Sequence, residues 1–279
     1  MTDPTASHDT PAEREREALD QLSRVNGPSE LHAVVLALLL PPGINERALR
    51  AWATETEAIP NARVLRDRVE RLSGPARLPC FEAMVSRVAK HPLGTRQTLL
   101  EATRRVMSSP GSVRAIDRLH WFAMRRRLGE LALFGSRAGA DHELLDLPES
   151  DVYAIASFSA FLSRMVPSDA PSANGGAAWY SRVMVPWQQR GLVPPCTPPD
   201  ADGMVHALQQ LQALAFGQRP VLLRDWVIAA VQHSRGHRLV DASADALRLT
   251  AALLDCPMPP ELERHFPIVF PADPAEVPR

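Results

Sequence analysis

His233 and His237 lie four residues apart, the spacing at which one helix face offers two imidazoles to a divalent metal, and Asp241 follows four residues later. Gly236 stands between the histidines and breaks a helix there, so the alternative is a pair of solvated loop residues. The expectation is therefore no metal site, with His233, His237 and Asp241 as the residues to follow. Cys196 and Cys256 sit beside prolines, and a thiol enzyme would need Cys196 brought to His206 or His233. No Cys-His-Asp or Cys-His-Asn arrangement is legible, and a small buried apolar residue is the plainer reading of each cysteine. Arg104 and Arg105, with Arg125, Arg126 and Arg127, offer either a basic face or cations at helix C-terminal ends. Trp179, Tyr180 and Trp187 suit either a ligand groove or core packing. Glu143, Asp146, Glu149 and Asp151 cluster without the spacing of a calcium-binding loop and read as hydrated acids. These residues predict no catalytic group, no cofactor and no enzyme.

The elements that must position them are helical. The clearest run is residues 219–260, where Leu223, Trp226, Val227, Ala230 and Val231 recur at helical spacing before the break at Gly236. A second helix reopens with Asp241 as expected N-cap and Leu247, Ala251 and Leu254 as its stripe, until Pro257, Pro259 and Pro260 stop it. The spacing predicts a hairpin with Trp226 and Leu247 facing each other in the core. Residues 31–40, LHAVVLALLL, are apolar nearly all round and closed by Pro41 and Pro42. Ten residues make about 15 Å of helix, half a bilayer core, so a buried helix capped by Ser29 is expected rather than a membrane span.

Asn45 and Asn61 predict two further helix starts, and a sixth helix is expected from Ser112 to Phe134. Ile155, Phe158, Leu162 and Met165 form a 3-4-3 stripe, Pro186 is expected to kink its helix, and PPCTPP at 194–199 reads as an extended linker. No stretch alternates with period two for long enough to be a strand. The reading is all-α, with roughly ten helices. Its divisions are a mobile leader at 1–25, a first bundle at 26–140, a second at 148–266 and a proline-rich tail at 267–279. Residues 99–128 and 222–254 echo each other as helix, glycine break and leucine-rich helix, which reads as a possible duplication.

Composition bounds the partners. The 279 residues carry a net charge of -1, which gives no overall pull towards nucleic acid. Lys90 is the only lysine, which reads as base composition rather than selection for arginine. Cys80, Cys196 and Cys256 are scattered without a CxxC pair, and the polar, acidic N-terminus lacks the pattern of a signal peptide. A cytoplasmic location without a transmembrane segment is expected.

The strings LPCFEAMVSRVAKHPLGTRQTLLEATRRVM, DADGMVHALQQLQAL, RPVLLRDWVIAAV and ADALRLTAALLDCPMPPELERHF resemble the C-terminal helical region of HtpX-like membrane zinc metallopeptidases over roughly residues 28–266. Those modules in turn resemble TerB-like helical domains, which implies two TerB-like bundles. The peptidase's H-E-x-x-H motif is absent, and Ser109-Pro110-Gly111 and Ser234-Arg235-Gly236 replace the acidic Asp-Gly turns of the TerB-like pattern. Asp117 and Asp245 are thereby left without acidic partners. The resemblance implies a non-enzymatic interaction or accessory module with a protein partner, a membrane metallopeptidase or other envelope protein. The alternative is a TerB-like metal- or stress-responsive binding protein.

Overall fold

A computed structural model describes residues 10–43, 45–129, 143–167 and 175–270. Among them are thirteen α-helices and no strand, so the fold is all-α. No helix among the described residues is long and apolar enough to cross a membrane. The chain divides into two compact units, one up to Ser112 together with the chain from Ile268, the other Val113–Pro267.

The first unit forms around a helix that has no polar face. α1 spans Pro11–Ser23, α2 Pro28–Leu38, α3 Glu46–Glu55, α4 Ala62–Glu70, α5 Gly74–Val88 and α6 Leu93–Ser108. Leu31 and the whole run from Ala33 to Leu38 in α2 are buried, because α3, α4, α5 and α6 all pack on it. Each fully buried Leu or Val contributes about 1.5–3 kcal/mol, which makes α2 a large apolar investment of this unit. Its start differs from expectation. Gly27 is the N-cap and Pro28 opens the helix, where a missing N–H costs nothing, so Ser29 lies inside. Asn45 caps α3 as expected, its Oδ1 accepting from Ala48 N at 3.0 Å. Asn61 holds the N-cap position of α4 without a side-chain cap bond.

The leader is a helix from Pro11 onward. Thr10 and Glu13 close a capping box, and Ala18 and Leu22 are buried where α1 meets α4. Residues 11–23 of the expected leader are helical, while 1–9 lie outside the described residues.

The second unit holds α7 (Ala115–Arg127), α8 (Glu149–Leu162), α9 (Gly175–Gln188), α10 (Ala201–Ala213), α11 (Gln218–His233), α12 (Asp241–Leu254) and α13 (Pro260–Glu263). The unit boundary falls at Ser112–Val113, not in the connection at 135–148, because α7 packs on α12. The sixth expected helix starts at Ala115 and ends at Arg127; residues 130–142 lie outside the described residues, as do 168–174 of the expected loop and 271–279 of the tail. The echo between 99–128 and 222–254 pairs α6 and α7, which belong to different units, with α11 and α12, which share one.

Trp226 is the point at which α8, α9 and α11 meet. It is fully buried, stacks on Phe158 of α8 at 5.9 Å, and its carbonyl accepts from Trp179 Nε1 of α9 at 3.2 Å. Leu247 is equally buried on α12, which packs against α11. Gly236, at φ 68°, makes the expected break between them. Val240 is the N-cap of α12, and Asp241 is the first helical residue, where a carboxylate still meets the positive end of the dipole. Pro186 lies inside α9, which runs through it to Gln188.

Trp226→Ala and Leu247→Ala should each lower stability by about 2–5 kcal/mol, through lost burial and an unfilled cavity. Arg235→Ala, in the exposed turn, should cost under about 0.5 kcal/mol. Equal melting temperatures for Trp226→Ala and Arg235→Ala would show the core of this unit to lie elsewhere. A methyl at Gly176 would stand 1.9 Å from the Ser163 carbonyl oxygen, since α9 begins against the end of α8. Backbone must move to admit it, so Gly176→Ala should lower stability by about 1–3 kcal/mol in chemical denaturation. An unchanged midpoint would refute that close approach.

Candidate functional site

The expected metal residues are not brought together. His233 Nδ1 meets its own helix at the Ala229 carbonyl, 2.8 Å away. His237 stands beyond it in a left-handed turn conformation, φ 54°. Asp241 Oδ1 pairs instead with His265 Nε2 at 3.1 Å, a residue of the segment after α13. No group of three His, Cys, Asp or Glu able to hold a metal occurs among the described residues. Asp117, marked by the resemblance, is buried and bound by the Arg114 guanidinium at 2.5 Å.

The thiols have structural surroundings. Ser163 Oγ donates to the Ala160 carbonyl at 2.8 Å, and Cys196 Sγ lies 3.4 Å from the same hydroxyl. Cys256 Sγ contacts the Leu254 carbonyl at 3.6 Å, and burial pushes its pKa up to about 11. Burial pushes the Cys80 thiol further, to about 12. Raised values disfavour the thiolate that a nucleophile needs.

The aromatic candidates are core residues. Trp179, Tyr180 and Trp187 are buried, and Trp187 Nε1 donates to the Leu144 carbonyl at 2.9 Å. Tyr180 Oη donates to the Pro194 carbonyl at 2.7 Å, and burial pushes this phenol up to about 12. Of the acids between 143 and 151, Glu149 and Asp151 fall in the first turn of α8, where the dipole favours them.

The arginines do most of the connecting. Arg126 donates to the Ala252 and Leu253 carbonyls at the end of α12 and reaches the Asp255 carboxylate at 3.1 Å. Arg219, 8 % exposed, donates to the Leu254 carbonyl at 2.8 Å, and Gln212 Nε2 to Leu253 at 2.8 Å. Arg125 lies over the Trp121 ring at 5.9 Å. The reading of these arginines as cations at helix C-terminal ends holds for Arg126, but the end that it caps belongs to another helix.

One polar group escaped sequence reading. Glu55, the last residue of α3, is held by a two-point contact from Arg105 of α6, at 2.5 and 2.9 Å, and His32 of α2 lies within their field. An acid at a helix C-terminus is unfavourable by itself, and Arg105 offsets it. Nothing in the spacing of 32, 55 and 105 signals this, since three helices supply one residue each. The Arg105 hydrogen bonds hold Glu55 below the usual carboxylate range. Burial holds the half-buried His32 below the usual imidazole range, with Glu55 opposing and Arg105 adding to it.

Two further large apolar side chains flank the start of α11. Phe216 is 65 % exposed, with the Arg219 guanidinium 5.6 Å from its ring, and Val221 is 49 % exposed.

His32 and Glu55 have the same sign: a lowered pKa gives stability that is complete above the unfolded value and lost as pH falls. For His32 the loss starts near its ordinary 6.5, and for Glu55 near 4.5. Melting temperature should therefore fall from about pH 7 to about pH 5, and His32→Gln should flatten that interval while leaving the acid limb. An identical slope in the variant would exclude His32 as its source. Comparison with protein-family models, curated proteins and solved structures finds no match to this chain.

Proposed function

We propose that this protein is a helical interaction module that works through contacts with a protein partner and not through catalysis. The observation that carries the reading is the exposure of two large apolar side chains at the start of α11, Phe216 just before it and Val221 in its first turn. Burying a phenyl ring of this kind in a partner contributes about 1.5–3 kcal/mol, a strong incentive for association at one point. The surroundings of the candidate groups support the same reading. Cys196, Tyr180, Trp187 and Arg126 are engaged in bonds between segments of their own unit. The resemblance to the helical region of HtpX-like peptidases makes a membrane metallopeptidase or other envelope protein the first partner to test. Two TerB-like bundles remain part of that proposal.

The test compares wild type with Phe216→Glu/Val221→Glu. A stoichiometric partner captured by the wild type from native extract should be lost from the double variant. Its melting should stay within about 0.5 kcal/mol, as for other exposed sites. Equal capture by both proteins, or a measured catalytic turnover, would overturn the reading.

A further inference from the structure

We infer that Thr197 is a phosphorylation site, presented to a protein kinase that accepts proline directly after the modified hydroxyl. The inference rests on residues 192–200, which carry no helix and join α9 to α10. This strap is fixed at intervals. Tyr180 Oη holds the Pro194 carbonyl at 2.7 Å, Cys196 Sγ meets Ser163 Oγ at 3.4 Å, and Asp200 caps α10 by accepting from Gly203 N at 2.8 Å. Between the anchors, Pro195, Thr197 and Pro198 are exposed while Pro194, Cys196 and Pro199 are half-buried. Thr197 N donates to the Pro195 carbonyl at 2.8 Å, a tight turn about Cys196. The Thr197 hydroxyl has no hydrogen-bond partner among the described residues.

Pro198 matters for two reasons. It disfavours helical backbone at Thr197, and having no N–H it adds no donor that must be paired. A kinase cleft needs a substrate segment that is not already committed to a helix.

The sequence holds two other hydroxyl-proline pairs, and their structures set them apart. Thr10, before Pro11, spends its hydroxyl in the capping box of α1, donating to Glu13 Oε2 at 2.9 Å and accepting from Glu13 N at 3.3 Å. Ser109, before Pro110, is half-buried and donates to the Val106 carbonyl at 2.7 Å at the end of α6. Modifying either would first require a helix end to come apart. Of the three, Thr197 alone offers an exposed, uncommitted oxygen on a non-helical segment.

In the reaction Thr197 Oγ1 attacks the γ-phosphorus of ATP, the bond from that phosphorus to the β,γ-bridging oxygen breaks, ADP leaves, and the hydroxyl proton passes to the kinase's base. The new group brings about -1.5 to -2 charges next to the exposed Asp200 and Asp202, so it changes the charge of the strap more than its bulk.

The experiment incubates the folded, full-length protein with Mg-ATP and a proline-directed kinase of the mitogen-activated class, and reads intact mass and the modified peptide. One phosphoryl group is expected, on Thr197. Thr197→Ala should abolish it, and Pro198→Ala should reduce its rate at least about tenfold. Melting curves establish that both variants are folded. Absence of incorporation into wild type, modification at Thr10 or Ser109 instead, or an unchanged rate in Pro198→Ala would each overturn the proposal. Because the strap residues differ from Phe216 and Val221, its failure leaves the partner reading standing, and the reverse.

Discussion

A helix that stops inside a protein leaves carbonyl groups with no partner of their own, and each one buried unpaired costs about 1–3 kcal/mol. In this chain such ends are met by side chains from other helices. The end of α12 is held by Arg126 of α7, Gln212 of α10 and Arg219 of α11. In the first unit Arg77 of α5 donates to Val69 at the end of α4, at 3.1 Å, and Arg87 donates to Val25 just after α1, at 2.6 Å. Each bond fixes the position of one helix against another. Where the donor is a guanidinium, the bond is worth about 1.5–3 kcal/mol, more than an ordinary hydrogen bond.

This explains why arginine does the work. Arg126 addresses two carbonyls and a carboxylate at once, which a planar guanidinium does and a single ammonium point does not. Arg87 is almost completely enclosed, and its bond to the Val25 carbonyl offsets part of the cost of a charge there. The apolar core supplies the larger energy, but it is not directional. The guanidinium contacts from α7 and α11 and the Gln212 amide contact from α10 decide which way these helices approach α12.

The same economy shapes what the surface can do. Thiols, indoles and phenols bridge segments of their own unit, and the raised pKa values of Cys256 and Tyr180 suit that role. The polar group of His32, Glu55 and Arg105 ties three helices of the first unit at one place and responds to pH through ordinary burial. Among the groups that face water are Phe216, Val221 and a proline strap with an open hydroxyl.

Fold class was legible because helical periodicity is a local property: the stripes at Leu223–Val231 and Ile155–Met165 and the all-round apolar run in α2 need no distant partner to be read. The burial of Trp226 and Leu247 and the break at Gly236 followed from the same rule. The caps were less legible. Ser29 and Asp241 are good N-caps by type, but a proline at Pro28 and the stop of the strap at Val240 moved each start by a residue or more. Only the tertiary structure decided that α7 belongs with α12, since a composition shift in the sequence does not mark where packing divides. It alone decided that Asp241 meets His265, that Arg105 meets Glu55 and that Arg126 caps a helix 126 residues away. The physical reason is common to all three: a side-chain contact between distant segments leaves no period, spacing or composition in the sequence of either.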